Sequence, residues 1–273
     1  GEMESRLCIR RSERNDCISP IIKMQFEKLN YPSNLLEGKT IVISGAGSGI
    51  GRQIARTYAE FGADLILLSK SIEKLESIYE EINQITSGSV IIQPINFKTA
   101  DEKNYQKIVG AIKEEYSQID GLVNNAGILG EKKPLEQYSY SVWRDVLRVN
   151  LDASFLLTKN LIPLLKESSS SSIIFTSSGV GRKGRAYWGA YSISKFATEA
   201  MMQILFEELQ NTTSIRVNCI NPGAVRTKMR ESAYPAENPE SNPSAIEIMN
   251  PYLYLISDLS KDINGQSIDA QDY

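Results

Sequence analysis

The sequence predicts a doubly wound α/β domain: a parallel sheet of about seven strands with helices on both faces. From Thr40 onward, short β-branched runs alternate with longer segments of helical period, Ser44–Gly51 forms a glycine-rich turn between an apolar run and a helix, and no internal linker or repeat interrupts the alternation. In chain order the strands fall at 40–44, 64–68, 89–95, 121–124, 172–177, 215–220 and 266–269. Ile72, Leu75, Ile78, Tyr79, Ile82 and Ile85 keep the i, i+3, i+4, i+7 rhythm of an amphipathic crossover helix, and Tyr105, Ile108, Val109, Ile112 and Tyr116 repeat it. Longer helices are expected from about Ser141 to Lys166, with Pro163 limiting the regular bonding near its end, and from Ala190 to Gln210. The serine run 168–172 reads as a solvated turn. Residues 35–273 then make one domain. Residues 1–34 read as a flexible, partly non-native N-terminal extension, with Met24 the expected native start.

Composition narrows the function. Hydrophobic residues make up 41% and charged residues 23%, enough to bury a full core. The net charge of -3 and the lack of a basic stripe argue against a nucleic-acid partner. No run approaches the roughly 20 apolar residues of a membrane span. Residues 1–23 lack the apolar centre of a signal peptide, and Arg6, Arg10, Arg11 and Arg14 alternate with Glu2, Glu4, Glu13 and Asp16, unlike an acid-poor transit peptide, so a cytoplasmic protein is expected. Cys8, Cys17 and Cys219 have neither zinc-site nor redox spacing. There is no histidine, which removes Ser-His-Asp and Cys-His chemistry and imidazole metal sites together; no metal is expected.

The turn Ser44-Gly45-Ala46-Gly47-Ser48-Gly49-Ile50-Gly51 stands where glycines let backbone amides approach a pyrophosphate at a positive helix end, the Rossmann arrangement. A tight turn without a ligand is the alternative. Arg52-Gln53 stands where a P-loop needs its lysine and hydroxyl, which disfavours that motif. Tyr191 and Lys195 lie i, i+4 on one helix face, as many solvated pairs do. Their chemistry gives the pair another use. Lowering a tyrosine pKa from about 10 by three units takes about 4 kcal/mol, and one ammonium at about 4 Å in a dielectric of about 20 supplies roughly that. Ser178 follows a buried strand, at the carboxyl edge where open α/β sheets bind ligands; a loop serine bonding its own backbone is the plainer reading, expected of Ser177.

These landmarks resemble, in order, those of the short-chain dehydrogenase/reductase family. The glycine turn is similar to its Thr-Gly-x-x-x-Gly-x-Gly with Ser44 for Thr, Asn124-Asn125-Ala126-Gly127 to its element after the fourth strand, and Asn221-Pro222-Gly223-Ala224-Val225-Arg226-Thr227 to its Pro-Gly segment. The match covers about residues 37 to 270. Gly184-Arg185-Ala186-Tyr187-Trp188-Gly189-Ala190-Tyr191 with Phe196-Ala197-Thr198-Glu199 resembles a bacterial subgroup of NADP-type short-chain oxidoreductases. The resemblance implies a catalytic set of Asn150, Ser178, Tyr191 and Lys195. Family spacing selects Ser178 over Ser177, and Asn150 would hold a water relaying protons through Lys195. It implies cofactor contacts at Gly45, Ser48, Gly49, Ile50, Ser69, Lys70, Asn96, Asn124, Ala126, Gly127, Tyr191, Lys195, Pro222, Gly223, Val225 and Thr227. Ser69 stands where NAD-specific members carry Asp, and Lys70 where NADP-dependent relatives often carry Arg, so NADP is expected over NAD. Asn96 replaces the usual Asp after the third strand, and Gln266-Ser267-Ile268-Asp269-Ala270 lacks the usual Gly-Gly, leaving the C-terminal contacts open.

The expected function is hydride transfer between NADP(H) and a small-molecule carbonyl/alcohol substrate bound under Ala224–Ser244, in a homodimer or homotetramer built on the helices of Asn150 and Tyr191. A dinucleotide-binding sensor is the competing class, disfavoured by an intact Ser178, Tyr191 and Lys195; a methyl transferase accounts for neither Tyr nor Lys. Arg182, Lys183, Arg185, Arg226, Lys228 and Arg230 flank the expected pocket and would either attract an anionic substrate or serve as solvated loop charges.

Overall fold

The computed structural model describes residues 21–22, 31–86 and 88–271; Met24, Cys8, Cys17 and most of the expected extension lie outside them. The seven expected strands are present within a residue or two of their predicted bounds: β2 (Thr40–Ser44), β3 (Asp64–Ser69), β4 (Val90–Pro94), β5 (Gly121–Asn124), β6 (Ser171–Thr176), β7 (Ile215–Asn221) and β8 (Ser267–Asp269). An eighth, β1 (Ile21–Ile22), comes from the segment read as extension and pairs in parallel with Ser267 and Ile268. All pairings are parallel, in the order β1-β8-β7-β6-β5-β2-β3-β4. The chain winds outward from β2 to β4, returns to β5 on the other side of β2, and winds outward again. That reversal opens a crevice at the carboxyl ends of β2 and β5.

The helices are α1 (Gly49–Glu60), α2 (Ile72–Ile82), α3 (Glu102–Glu115), α4 (Tyr140–Leu147), α5 (Ala153–Glu167), α6 (Gly189–Leu209), α7 (Lys228–Ala233) and α8 (Met249–Ile256). Strand alternation sends Ile41, Ile43, Leu65 and Leu67 to one face, against Ile54 and Tyr58 of α1, Leu75 and Ile78 of α2, and Tyr252 and Leu255 of α8. Val42, Ile66, Leu122 and Ile173 face Tyr105 and Ile108 of α3, Leu157 and Leu161 of α5, and Met202 of α6. Each such fully buried aliphatic contributes about 1.5–3 kcal/mol.

Three elements depart from expectation. The single helix expected over 141–166 is α4 and α5 joined by a π-turn, Arg148–Asp152, while Pro163 leaves α5 unbroken to Glu167 at the cost of one backbone bond. Helix α8 was not expected: Met249 and Pro251–Ile256 are buried on every side, so no polar face marks a helical period. The serine run is solvated only at Ser169 and in part at Ser170. Ser168, Ser171 and Ser172 are buried, donating to Asp120 Oδ1 (2.7 Å), Leu165 O (2.9 Å) and Leu255 O (2.8 Å), so the interior satisfies each hydroxyl.

Candidate active site

The crevice is shaped by how closely the glycine turn folds back. Gly45 sits at φ +72, and a Cβ on it would stand 2.8 Å from Ala126 Cα; one on Gly51 would collide with Gly45 O. Only bare backbone fits. Ser44 staples the turn to the loop after β5: its hydroxyl donates to Val123 O (3.3 Å) and accepts from the amides of Asn125 (3.0 Å) and Ala126 (3.1 Å). Ser48 precedes α1 without a side-chain cap, and the first turn of α1 carries no acid. Its orphan N–H groups thus lack an anionic partner from the protein, a cradle suited to the pyrophosphate of a dinucleotide.

The resulting cleft, about 420 Å³, is lined by Gly45, Ser48, Gly49, Ile50, Ser69, Lys70, Asn96, Ala126, Gly127, Ser178, Tyr191, Lys195, Pro222, Gly223, Val225 and Thr227. Sixteen expected site residues therefore share one cavity. Asn124 and Asn150 do not line it. Asn124 ends β5 facing α5, where its Nδ2 donates to Thr158 Oγ1 (3.0 Å); Asn125, one residue on and on the opposite side, lines the cleft and accepts from Thr176 Oγ1 (3.2 Å). Strand alternation could have made that choice. Phe97, Ile128, Leu129, Trp188 and Met229 also line the cleft and carry no polar signature that marks them in the sequence.

Ser178, Tyr191 and Lys195 meet because the turn Gly179–Gly181 presses on α6: a Cβ at Gly181 would stand 2.7 Å from Lys195 Cβ, and Ser192 Oγ donates to Val180 O (2.5 Å). Lys195 is buried, with Nζ donating to Thr176 O (2.7 Å) and lying 5.7 Å from the centre of the Tyr191 ring. Burial lowers its pKa to about 8. Burial likewise raises the Tyr191 phenol, and a hydrogen bond with Ser178 offsets only part of that. This corrects the expectation that Lys195 sets the tyrosine low: desolvation of the phenol outweighs an ammonium whose hydrogen bond goes to a backbone carbonyl. The two serines differ from expectation only in their backbone bonding. Ser178 Oγ accepts from Val180 N (3.5 Å), whereas buried Ser177 Oγ meets no partner among the described residues.

Asn150 sits in the π-turn, and its side chain is committed. Oδ1 accepts from Ile128 N (2.8 Å) while Nδ2 donates to Ile128 O (3.0 Å) and Ser194 Oγ (3.0 Å), clamping the loop after β5 to α6 rather than facing the cleft. Asn96 Oδ1, expected to face adenine, accepts from Lys98 N (3.2 Å) in its own turn. Lys70 and Ser69 line the far end of the cleft. Much of the basic rim is internally paired. Arg182 bridges Asp269 (2.6 Å) and Glu199 (3.5 Å), Arg226 bridges Glu240 (2.8 Å) and Arg230 bridges Glu237 (2.5 Å), which favours structural loop charges for these three. Asp269 also accepts from Asn221 Nδ2 (2.7 Å), so the C-terminal strand contacts the site without a Gly-Gly pair.

A parallel doubly wound sheet with this cleft at its switch point defines a dinucleotide-type α/β fold, and the short chain dehydrogenase family matches residues 39–238. The chain belongs to that family and is a short-chain dehydrogenase/reductase enzyme, an oxidoreductase of a family that uses NAD(P) and acts on small molecules. It is 45% identical over 238 residues to the uncharacterized oxidoreductase YciK of Escherichia coli K12, covering 87% of this chain and 94% of that one. A short chain dehydrogenase structure from Shigella flexneri complexed with NADP superposes with a TM-score of 0.86 at 44% identity, covering 88% of this chain and all of that chain. The 3-oxoacyl-[acyl-carrier-protein] reductase FabG of Thermotoga maritima is 32% identical over 242 residues, 85% of this chain and 96% of that one. No described helix is long and apolar enough to cross a membrane.

Proposed function

We propose that this enzyme transfers a hydride between NADP(H) and a carbonyl or alcohol carbon, with Tyr191 exchanging the proton at its phenol oxygen. The observation that carries the reading is the buried Tyr191 phenol, hydrogen-bonded to Ser178 and backed by Lys195, at one end of the cleft that starts at the glycine cradle. Bound NADP(H) supplies or takes the hydride. Ser178, which shares the cleft with the Tyr191 phenol, donates its hydroxyl proton to a substrate oxygen once substrate is bound. With a pKa near 8, Lys195 is mostly an ammonium at pH 7, and its charge beside the Tyr191 ring favours a phenolate. Burial opposes that charge, so the phenol is held as a proton donor, the form that carbonyl reduction needs. Asn150 acts at one remove, holding Ile128 and Ser194 so that the cleft wall and α6 keep their register.

Choice of NADP over NAD is supported by Lys70 at the cleft's far end, by the uncharged Ser69, and by relatives whose structures hold NADP or NADPH. The family resemblance further gives a homodimer or homotetramer. The first test is a turnover screen of ketones, aldehydes and acyl-carrier thioesters with each reduced cofactor, repeated with Tyr191→Phe. The variant is expected to bind NADPH as the parent does and to lose at least about 100-fold in turnover, the usual worth of a general acid. A near-normal rate on a confirmed substrate rules the mechanism out.

A further inference from the structure

The cleft's substrate end is bounded on one side by the loop after β5 and on the other by α7, and one lysine joins the two. Lys132, on that loop, donates from Nζ to Ala233 O (3.0 Å), the last carbonyl of α7. The same ammonium stands 4.6 Å from the Trp188 ring centre and 4.2 Å from that of Tyr234, the residue that ends α7. The two rings are 6.0 Å apart, and Trp188 is in turn 5.6 Å from Tyr191. Trp188, Arg230 and Ala233 all line the cleft. A cation between two ring faces gains from both quadrupoles, and a carbonyl at a helix C-terminus carries partial negative charge, so three weak attractions converge on one atom.

We propose that Lys132 is a positioning residue that latches α7 over the substrate end of the cleft and seats Trp188 against Tyr191. Its assignment to the substrate end rests on the function proposed above; the latch itself does not. The residue is half-buried, and its Nζ is engaged by Ala233 O and the Trp188 and Tyr234 rings, so it acts through the lid and the indole. Glu131 and Glu237 do not compete for it, being bound to Lys133 and Arg230.

The chain has two tryptophans, Trp143 and Trp188, so Trp143→Phe leaves Trp188 as sole emitter. In that background, without cofactor, lifetime-corrected acrylamide quenching reads how open the lid is. Lys132→Met, which keeps the aliphatic stem and removes the charge, is expected to raise the quenching constant at least about two-fold, with Lys132→Arg near the parent. Tyr234→Leu, which removes one ring from the lid side, is expected to match Lys132→Met and guards against a misfolded loop variant. Stopped-flow release of NADPH should speed up about three- to ten-fold in Lys132→Met, the size of one partly desolvated cation–π contact. Quenching by Lys132→Met equal to the parent's, or an Arg variant as open as the Met variant, overturns the latch. Failure of the parent to bind NADPH instead refutes the proposed function and leaves the quenching result to decide the latch.

Discussion

Burying Lys195 works against the fold. A side chain that titrates near 8 when folded and near 10.4 when unfolded carries a cost of about 3 kcal/mol wherever it is charged in both states. The sign follows from proton counting. Below pH 8 the full cost is present; between 8 and 10.4 the unfolded chain binds more protons, and stability rises with pH. Lys195→Met is therefore expected to raise urea-unfolding stability by about 1–3 kcal/mol at pH 7, less whatever the lost bond to Thr176 O was worth, with the gain fading by pH 10. A variant less stable than the parent at pH 7 defeats this account. The sequence made Tyr191, Lys195 and Ser178 legible because helix spacing and family spacing fix them. It could not show that Asn150 turns its amide onto Ile128, since a π-turn aims side chains differently from the helix that the pattern implied.

Between elements, the proposed preference for NADP rests on the junction where β3 meets α2. Ser71 caps α2 by accepting from Lys74 N, which leaves Lys70 just outside the helix, exposed and lining the cleft, rather than serving as part of the helix's own first turn. Lys70→Ala is expected to weaken NADPH binding by roughly 1.5–3 kcal/mol, the range for hydrogen bonds to charged groups, and to leave NADH nearly unchanged. Fluorescence titration of both cofactors decides it; equal affinities in the parent would refute the assignment. Elements with an amphipathic rhythm or a β-branched run were readable in the sequence. Helix α8 was not, because burial on all sides erases the period that reveals a helix.

At the scale of the whole molecule, α5 and α6 present apolar side chains outward: Phe155 (50% exposed), Ile193 (41%), Phe196 (43%) and Ile204 (57%). Ile193 and Ile204 lie eleven residues apart on α6, three helical turns along one stripe. Such a face suits a second copy of the chain, and with α5 and α6 packed against that copy the protein is expected to sediment as a dimer or tetramer. Ile204→Glu should shift light-scattering mass toward monomer at micromolar concentration. A parent that is monomeric under those conditions removes the expectation. The parallel sheet was visible in the alternation of strands and helices, whereas the eighth strand was not: two isoleucines are too short a run to mark a strand without the partner they pair with.

The depressed Lys195 has one more consequence, for how the protein buffers. There is no histidine in the chain, burial pushes the Cys219 thiol up, and burial brings Lys195 down to about 8. Potentiometric titration of the folded protein should reach a flat minimum in buffering capacity around pH 6–7, and turnover limited by protein groups should be level there. The 2′-phosphate of NADPH itself titrates near pH 6. A fall in NADPH affinity as pH drops through that range, absent for NADH, would then report the charge on the ligand.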